Sequence, residues 1–186
     1  MSSSTLAPRP GLRQPGPLVR AVRAVSRAFG VLAAGLIVLA IYAICHMVWV
    51  RAVLGESSIW QTEFASFSII AATFLGAPYI LLTRGHVNVD IVPLYVGPPT
   101  RRFLSLAGNV VALAFCLIFL YAAVPWWYEV FSNDQTTPSI WRARLWIPYL
   151  AVPVGLGLLS LQFVVEIWQV LARIEWPFGL SPGDRP

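Results

Sequence analysis

The sequence predicts an all-α membrane protein with four transmembrane helices, and three observations predict it. Four stretches, about residues 30–50, 62–83, 103–128 and 145–168, are apolar and long enough to cross a hydrocarbon core about 30 Å thick. No Arg, Asp or Glu stands near the middle of any of them. Of 186 residues, 58% are hydrophobic and 11% charged, which leaves too little polar surface for a water-soluble globule. Inside lipid the backbone must satisfy its own hydrogen bonds, so spans of this length read as helices.

The chain opens with MSSSTLAPRPGLRQPGP, a Ser/Pro/Gly-rich stretch without apolar period, and residues 1–17 are expected to form a disordered tail. Residues 18–29 form a basic amphipathic flank: Val19, Val22, Val25 and Phe29 recur near helical spacing while Arg20, Arg23 and Arg27 take other positions. Two readings stay open for it, a helix lying along an anionic membrane surface and a solvated positive flank. The first span is too long for a signal-peptide core and ends in His46-Met47-Val48-Trp49, so no cleavage is expected.

Arginine sets the predicted orientation. The formal charge of +5 comes from 13 basic residues, all Arg, against 8 acidic ones. Arg9, Arg13, Arg20, Arg23, Arg27, Arg84, Arg101, Arg102, Arg173 and Arg185 fall on one side of the spans, and Arg51, Arg142 and Arg144 on the other. The positive-inside rule then puts both termini in the cytoplasm. Trp49, Trp60, Trp126, Trp127, Trp141 and Trp146 gather at the outer ends as an interfacial belt, with Trp168 and Trp176 at the inner end of span four. In a chain this apolar, topology explains the basic excess, and no nucleic-acid-binding module is present.

Between spans two and three, RGHVNVDIVPLYVGPPTRR is broken by Pro93, Pro98 and Pro99 and reads as an interfacial segment on the cytoplasmic face. The outer loop from Glu129 to Arg144 is polar and turn-rich. Pro78 and Pro125 are candidate bends. Pro148 is easily tolerated at the start of span four, and Pro153 is expected to kink it. The four spans make one domain over residues 30–175, followed by a tail at 176–186.

Candidate chemistry is sparse. His46 and His86 belong to opposite ends of the bundle, so no haem can bridge them. Cys45 and Cys116 lack metal-ligand or redox spacing and read as small apolar residues. Glu63, near the outer start of span two, is either a contact to another helix or subunit, through Arg51 or a loop arginine, or a carboxylate favoured by the helix dipole; the residues alone lean to the second. Glu166 lies near the inner interface, within reach of Arg84 or Arg173, and Asn109 and Gln162 are the deepest amides. Gly155, Gly157 and Ser160 permit close helix approach. No nucleophile and base, P-loop, carboxylate dyad or metal cluster can be assembled on one side, so neither an enzyme nor a cofactor is expected. Empty midplanes argue against an ion path through this chain alone and favour a partner subunit. The alternative from another class is a self-sufficient homo-oligomeric channel or exporter.

Three motifs resemble the small permease subunit of tripartite ATP-independent periplasmic (TRAP) transporters, the DctQ-type family. They are Trp60-Gln61-Thr62-Glu63 with Phe74-Leu75-Gly76-Ala77, then Gly85-His86-Val87-Asn88-Val89-Asp90, then Trp146-Ile147-Pro148 running on through Pro153 to Gly155. The resemblance covers about residues 25–175. It implies a bacterial inner-membrane protein that pairs with a large multi-span permease of DctM type and a periplasmic solute-binding protein, with lipid around it. The large permease would hold the substrate and sodium sites for uptake of small organic acids, while the small subunit braces it. On this reading Trp60, Glu63, Gly85, His86, Asp90, Pro148, Pro153 and Gly155 are structural or subunit-interface positions. The tail and Arg142-Ala143-Arg144 have no counterpart in the resemblance.

Overall fold

The computed structural model describes residues 16–56, 59–83 and 98–172. All of its regular elements are helical: α1 (Pro17–Trp49), continued by a π-helical stretch (Val50–Leu54), α2 (Trp60–Leu82), α3 (Pro98–Ser132), a short α4 (Trp146–Tyr149) and α5 (Ala151–Leu171). Four helical segments are long and apolar enough to cross a membrane, as the sequence predicted. The interfacial segment over 84–97 and the tails at 1–15 and 176–186 lie outside the described residues.

Two helices outrun their predicted spans. α1 begins at Pro17, in the first-turn position where a missing N–H costs nothing, and its 33 residues extend about 50 Å at the α-helical rise. Residues 18–29 form the first three turns of α1, continuous with the first span. They are held because Val19 and Val22 are buried with Val165 of α5. The π-helical stretch ends at Gly55, whose φ of 67° is the left-handed conformation that glycine adopts without strain. α3 runs 35 residues, with Pro125 inside it.

The fourth span is divided. Pro153 has no N–H to give to the carbonyl of Tyr149, and its ring crowds that carbonyl, so the hydrogen-bond ladder is interrupted between α4 and α5. Leu150 nevertheless keeps helical angles, and Leu150 N donates to Trp146 O at 3.1 Å and Val154 N to Leu150 O at 3.2 Å. Pro153 itself sits in the first turn of α5, and the helix is interrupted upstream of it, at Leu150.

Packing runs from α1 to α2, from α2 to α5 and from α5 to α3, with a smaller contact between α1 and α5. Small residues set these approaches. A Cβ on Gly155 of α5 would meet the backbone of Phe74 in α2, one on Gly30 of α1 would meet the Tyr79 ring, and one on Gly76 would lie 3.2 Å from Ala33. α1, α2 and α5 form a three-helix cluster, and α3 lies against the far side of α5. Burial follows: 17% of the most apolar stretch of the first span and 11% of the third are buried, against 33% and 39% for the second and fourth. Along α3, Val111, Phe115, Ile118 and Tyr121 are exposed at helical spacing. Cys116 is buried, whereas Cys45 is on the exposed side of α1.

Candidate functional site

One end of the cluster is built from tryptophan. Trp60 opens α2, with its ring 6.2 Å from those of His46 and Phe64 and 6.4 Å from that of Trp141. Trp127 Nε1 donates to Trp146 O at 3.0 Å, Phe131 meets Trp146 edge-on, and Trp126 stacks on Tyr149 with centroids 4.6 Å apart. These contacts tie the last turns of α3 to the start of the fourth span. Pro148 follows within the same cluster, in α4.

The loop above it is ordered by its own hydrogen bonds. Thr137 N donates to Ala143 O at 2.9 Å, Leu145 N to Gln135 O at 3.0 Å, and Ala143 N to Thr137 Oγ1 at 3.0 Å. The turn places Asp134 at φ 42° and Arg142 at φ 48°, a region non-glycine residues seldom enter. Arg144 pairs with Asp134, Nε to Oδ1 3.7 Å, and both are well exposed, so the pair contributes little.

Glu63 stands in the first turn of α2, where the helix dipole favours a carboxylate. Its Oε2 is buried, and among the described residues it has no hydrogen-bond partner and forms no ion pair with Arg51 or a loop arginine. Beside it, fully buried Gln61 sets its Nε2 3.4 Å from His46 Nδ1, and its Oε1 has no partner among the described residues.

A polar seam joins α1 to α5 at the opposite end. Ser26 Oγ donates to Gln162 Oε1 and Arg23 Nη2 to Gln169 Oε1, each at 3.3 Å, and both glutamines are fully buried. Their Nε2 atoms have no partner among the described residues. Glu166 lies with Arg23, Arg27, Tyr79 and Thr83 around a cavity of about 480 Å³. Arg102 of α3 donates from Nη2 to the carbonyls of Val170 and Leu171 at 3.2 and 3.1 Å, closing the C-terminus of α5.

The sequence-predicted residues therefore separate. Trp60, Glu63 and Pro148 gather at the tryptophan end, and Gly155 lies deeper at the α2–α5 crossing. Pro153 is two residues before it. Gly85, His86 and Asp90, and the proposed Glu166 partners Arg84 and Arg173, lie outside the described residues. Gln162 is buried as a deep amide should be, while Asn109 is only half-buried. Gln61, Gln169 and Ser26 were not singled out from sequence. A signal existed: Gln162, Glu166 and Gln169 fall at i, i+4 and i+7, opposite Arg23 and Ser26 at i and i+3.

A family model described as "Tripartite ATP-independent periplasmic transporters, DctQ component" matches residues 40–173. The chain is similar to the C4-dicarboxylate TRAP transporter small permease protein DctQ of Rhodobacter capsulatus, 26% identical over 110 residues, covering 59% of this chain and 48% of that protein. It is also similar to the Pseudomonas aeruginosa protein of the same name, 23% identical over 130 residues, 69% of this chain and 62% of that one. The isethionate TRAP transporter permease protein DctMQ of Oleidesulfovibrio alaskensis is 26% identical over 118 residues, 61% of this chain and 18% of that longer one. The chain spans about half to three fifths of the small-permease relatives it matches.

Proposed function

Because the chain belongs to the DctQ-component family of tripartite ATP-independent periplasmic transporters, we propose that it is the small subunit of a secondary uptake system in the bacterial inner membrane. It braces a large DctM-type permease, which moves a small organic acid delivered by a periplasmic binding protein and driven by an ion gradient, sodium by the family resemblance. The family match across residues 40–173 carries this reading. The wide apolar faces of α1 and α3, the least buried spans, supply the area a large membrane partner needs. The M and Q joined in the name of the Oleidesulfovibrio relative support the same pairing. The relatives above are permease components of such transporters, which lends no support to a self-sufficient channel or to an enzyme.

Within that assembly Trp60, Glu63, Pro148, Pro153 and Gly155 hold the shape of the subunit or meet its partner, and Gly85, His86 and Asp90 belong to a cytoplasmic motif. Glu63 is the sharpest of these, since a buried oxygen without a donor is costly unless a neighbouring chain supplies one. Both termini lie in the cytoplasm by the distribution of arginine. Purification of the tagged chain from its native membrane is expected to recover a larger multi-span protein in fixed stoichiometry, and Glu63→Ala to weaken that recovery. A defined homo-oligomer without such a protein would overturn the proposal. In the same cells, a cysteine at Ser139 is expected to be labelled from the periplasm and one at Ser181 only after permeabilisation; the reverse pattern overturns the orientation.

A further inference from the structure

Arg142, Ala143 and Arg144 stand at the larger cavity. This cavity, of about 680 Å³, lies between α1, α2 and α5, with Phe64, Phe67 and Leu75 of α2, Leu36 of α1 and Ala151 of α5 among its walls. Among the described residues, Arg142 and Arg144 are the only charged ones lining it. α1 and α5 meet at the Ser26–Gln162 and Val22–Val165 contacts, and the cavity, a wedge between the helices, lies from there towards the tryptophan end.

We propose that this wedge binds one phospholipid, drawn from the leaflet at the tryptophan end, with an acyl chain between the helices and its phosphate against Arg142. Charge and depth both select this occupant. From Phe64 to Leu75 the wall of α2 covers about 16 Å of helix axis, close to half of a hydrocarbon core about 30 Å thick, and Phe29 of α1 closes the far side. An extended acyl chain is narrower than a helix, which is about 10 Å across.

The mouth is prepared for an anion. Arg142 is exposed and its guanidinium has no partner among the described residues, whereas Arg144 already holds Asp134. Hydrogen bonds from Arg142 N to Ser139 O and across Thr137 and Ala143 hold Arg142 in its left-handed conformation. Such a conformation persists where the surrounding structure imposes it. Trp60 and Trp141 stand beside the opening, the depth at which headgroups meet hydrocarbon. A guanidinium matches a phosphate diester in shape and charge.

The test uses the full chain purified in a neutral detergent, with 16-carbon phosphatidylglycerol added and bound lipid counted by native mass spectrometry; it needs no large permease, so its outcome is separate from that of the transporter reading. One lipid per chain is expected. Arg142→Ala combined with Arg144→Ala is expected to lower occupancy at least tenfold, Arg142→Lys to retain most of it, and Ala71→Trp, which fills the wedge, to abolish it, with monodispersity and helicity checked for each. Neutral diacylglycerol of equal chain length is expected to bind at least tenfold more weakly. Occupancy unchanged in the Ala71→Trp chain, or equal retention of the neutral lipid, would overturn the proposal, as would a polypeptide helix found in the wedge of the assembled transporter.

Discussion

Ser26 and Gln162 meet across α1 and α5 with no water to compete for them, but the unfolded chain in a membrane also finds partners for such groups. Their contribution is therefore modest. A double-mutant cycle with Ser26→Ala and Gln162→Leu, read by reversible unfolding in mixed micelles, is expected to give a coupling of about 0.6 kcal/mol. A coupling near zero would mean that Val19, Val22 and Val165 hold the two helices without it. Gln162 was legible from sequence as an amide deep in an apolar span. Ser26 was not, because it stands in the basic flank, outside every stretch that hydropathy marks as a span. Gln61 was hidden differently: it lies inside the Trp60–Glu63 motif as a polar residue at the start of a span, yet like Gln162 and Gln169 it has no exposure.

At the scale of elements, hydropathy located four helices and missed where they end. The excess lengths of α1 and α3 lie in segments too polar to register as spans, and those segments stay helical because their apolar sides pack or their side chains cap a neighbour. Arg102 is the clearest case. Its guanidinium serves the last carbonyls of α5, groups that no residue of α5 can satisfy, and its charge opposes the helix dipole. Arg102→Ala is expected to cost about 1 kcal/mol locally and to speed amide exchange over residues 169–172 about fivefold. Unchanged exchange there would show that solvent serves these carbonyls equally well. The division of the fourth span was half legible: Pro153 announced a disturbance, but the chemistry of the missing N–H places it at Tyr149 O, one turn upstream of the proline. The π-helical stretch after Trp49 has no signal in hydropathy, since Val50 to Leu54 begins where the predicted span ends and carries Arg51.

Taken whole, the molecule is a three-helix cluster with a fourth helix attached through α5, and its apolar surface is large relative to what it buries. The sequence made the membrane class legible through composition and the arginine asymmetry made an orientation arguable, because both are sums over many residues. Contact order among the helices was not legible: apolar spans carry little that distinguishes one neighbour from another, and the small residues that decide approach, Gly30, Gly76 and Gly155, were only partly recognised. The wedge under Arg142 was equally hidden, since a cavity is a property of three helices at once. Among the described residues the ionisable groups stay near the ends of the spans, which supports the proposal that the coupling chemistry lies in another subunit and that this one is a brace. The direct test is transport itself. The chain is reconstituted into vesicles with and without its large permease, the binding protein and substrate are supplied outside, and organic-acid accumulation is measured under an inward sodium gradient. Uptake only when the large permease is present is the predicted result; robust gradient-driven uptake by this chain alone would contradict the account.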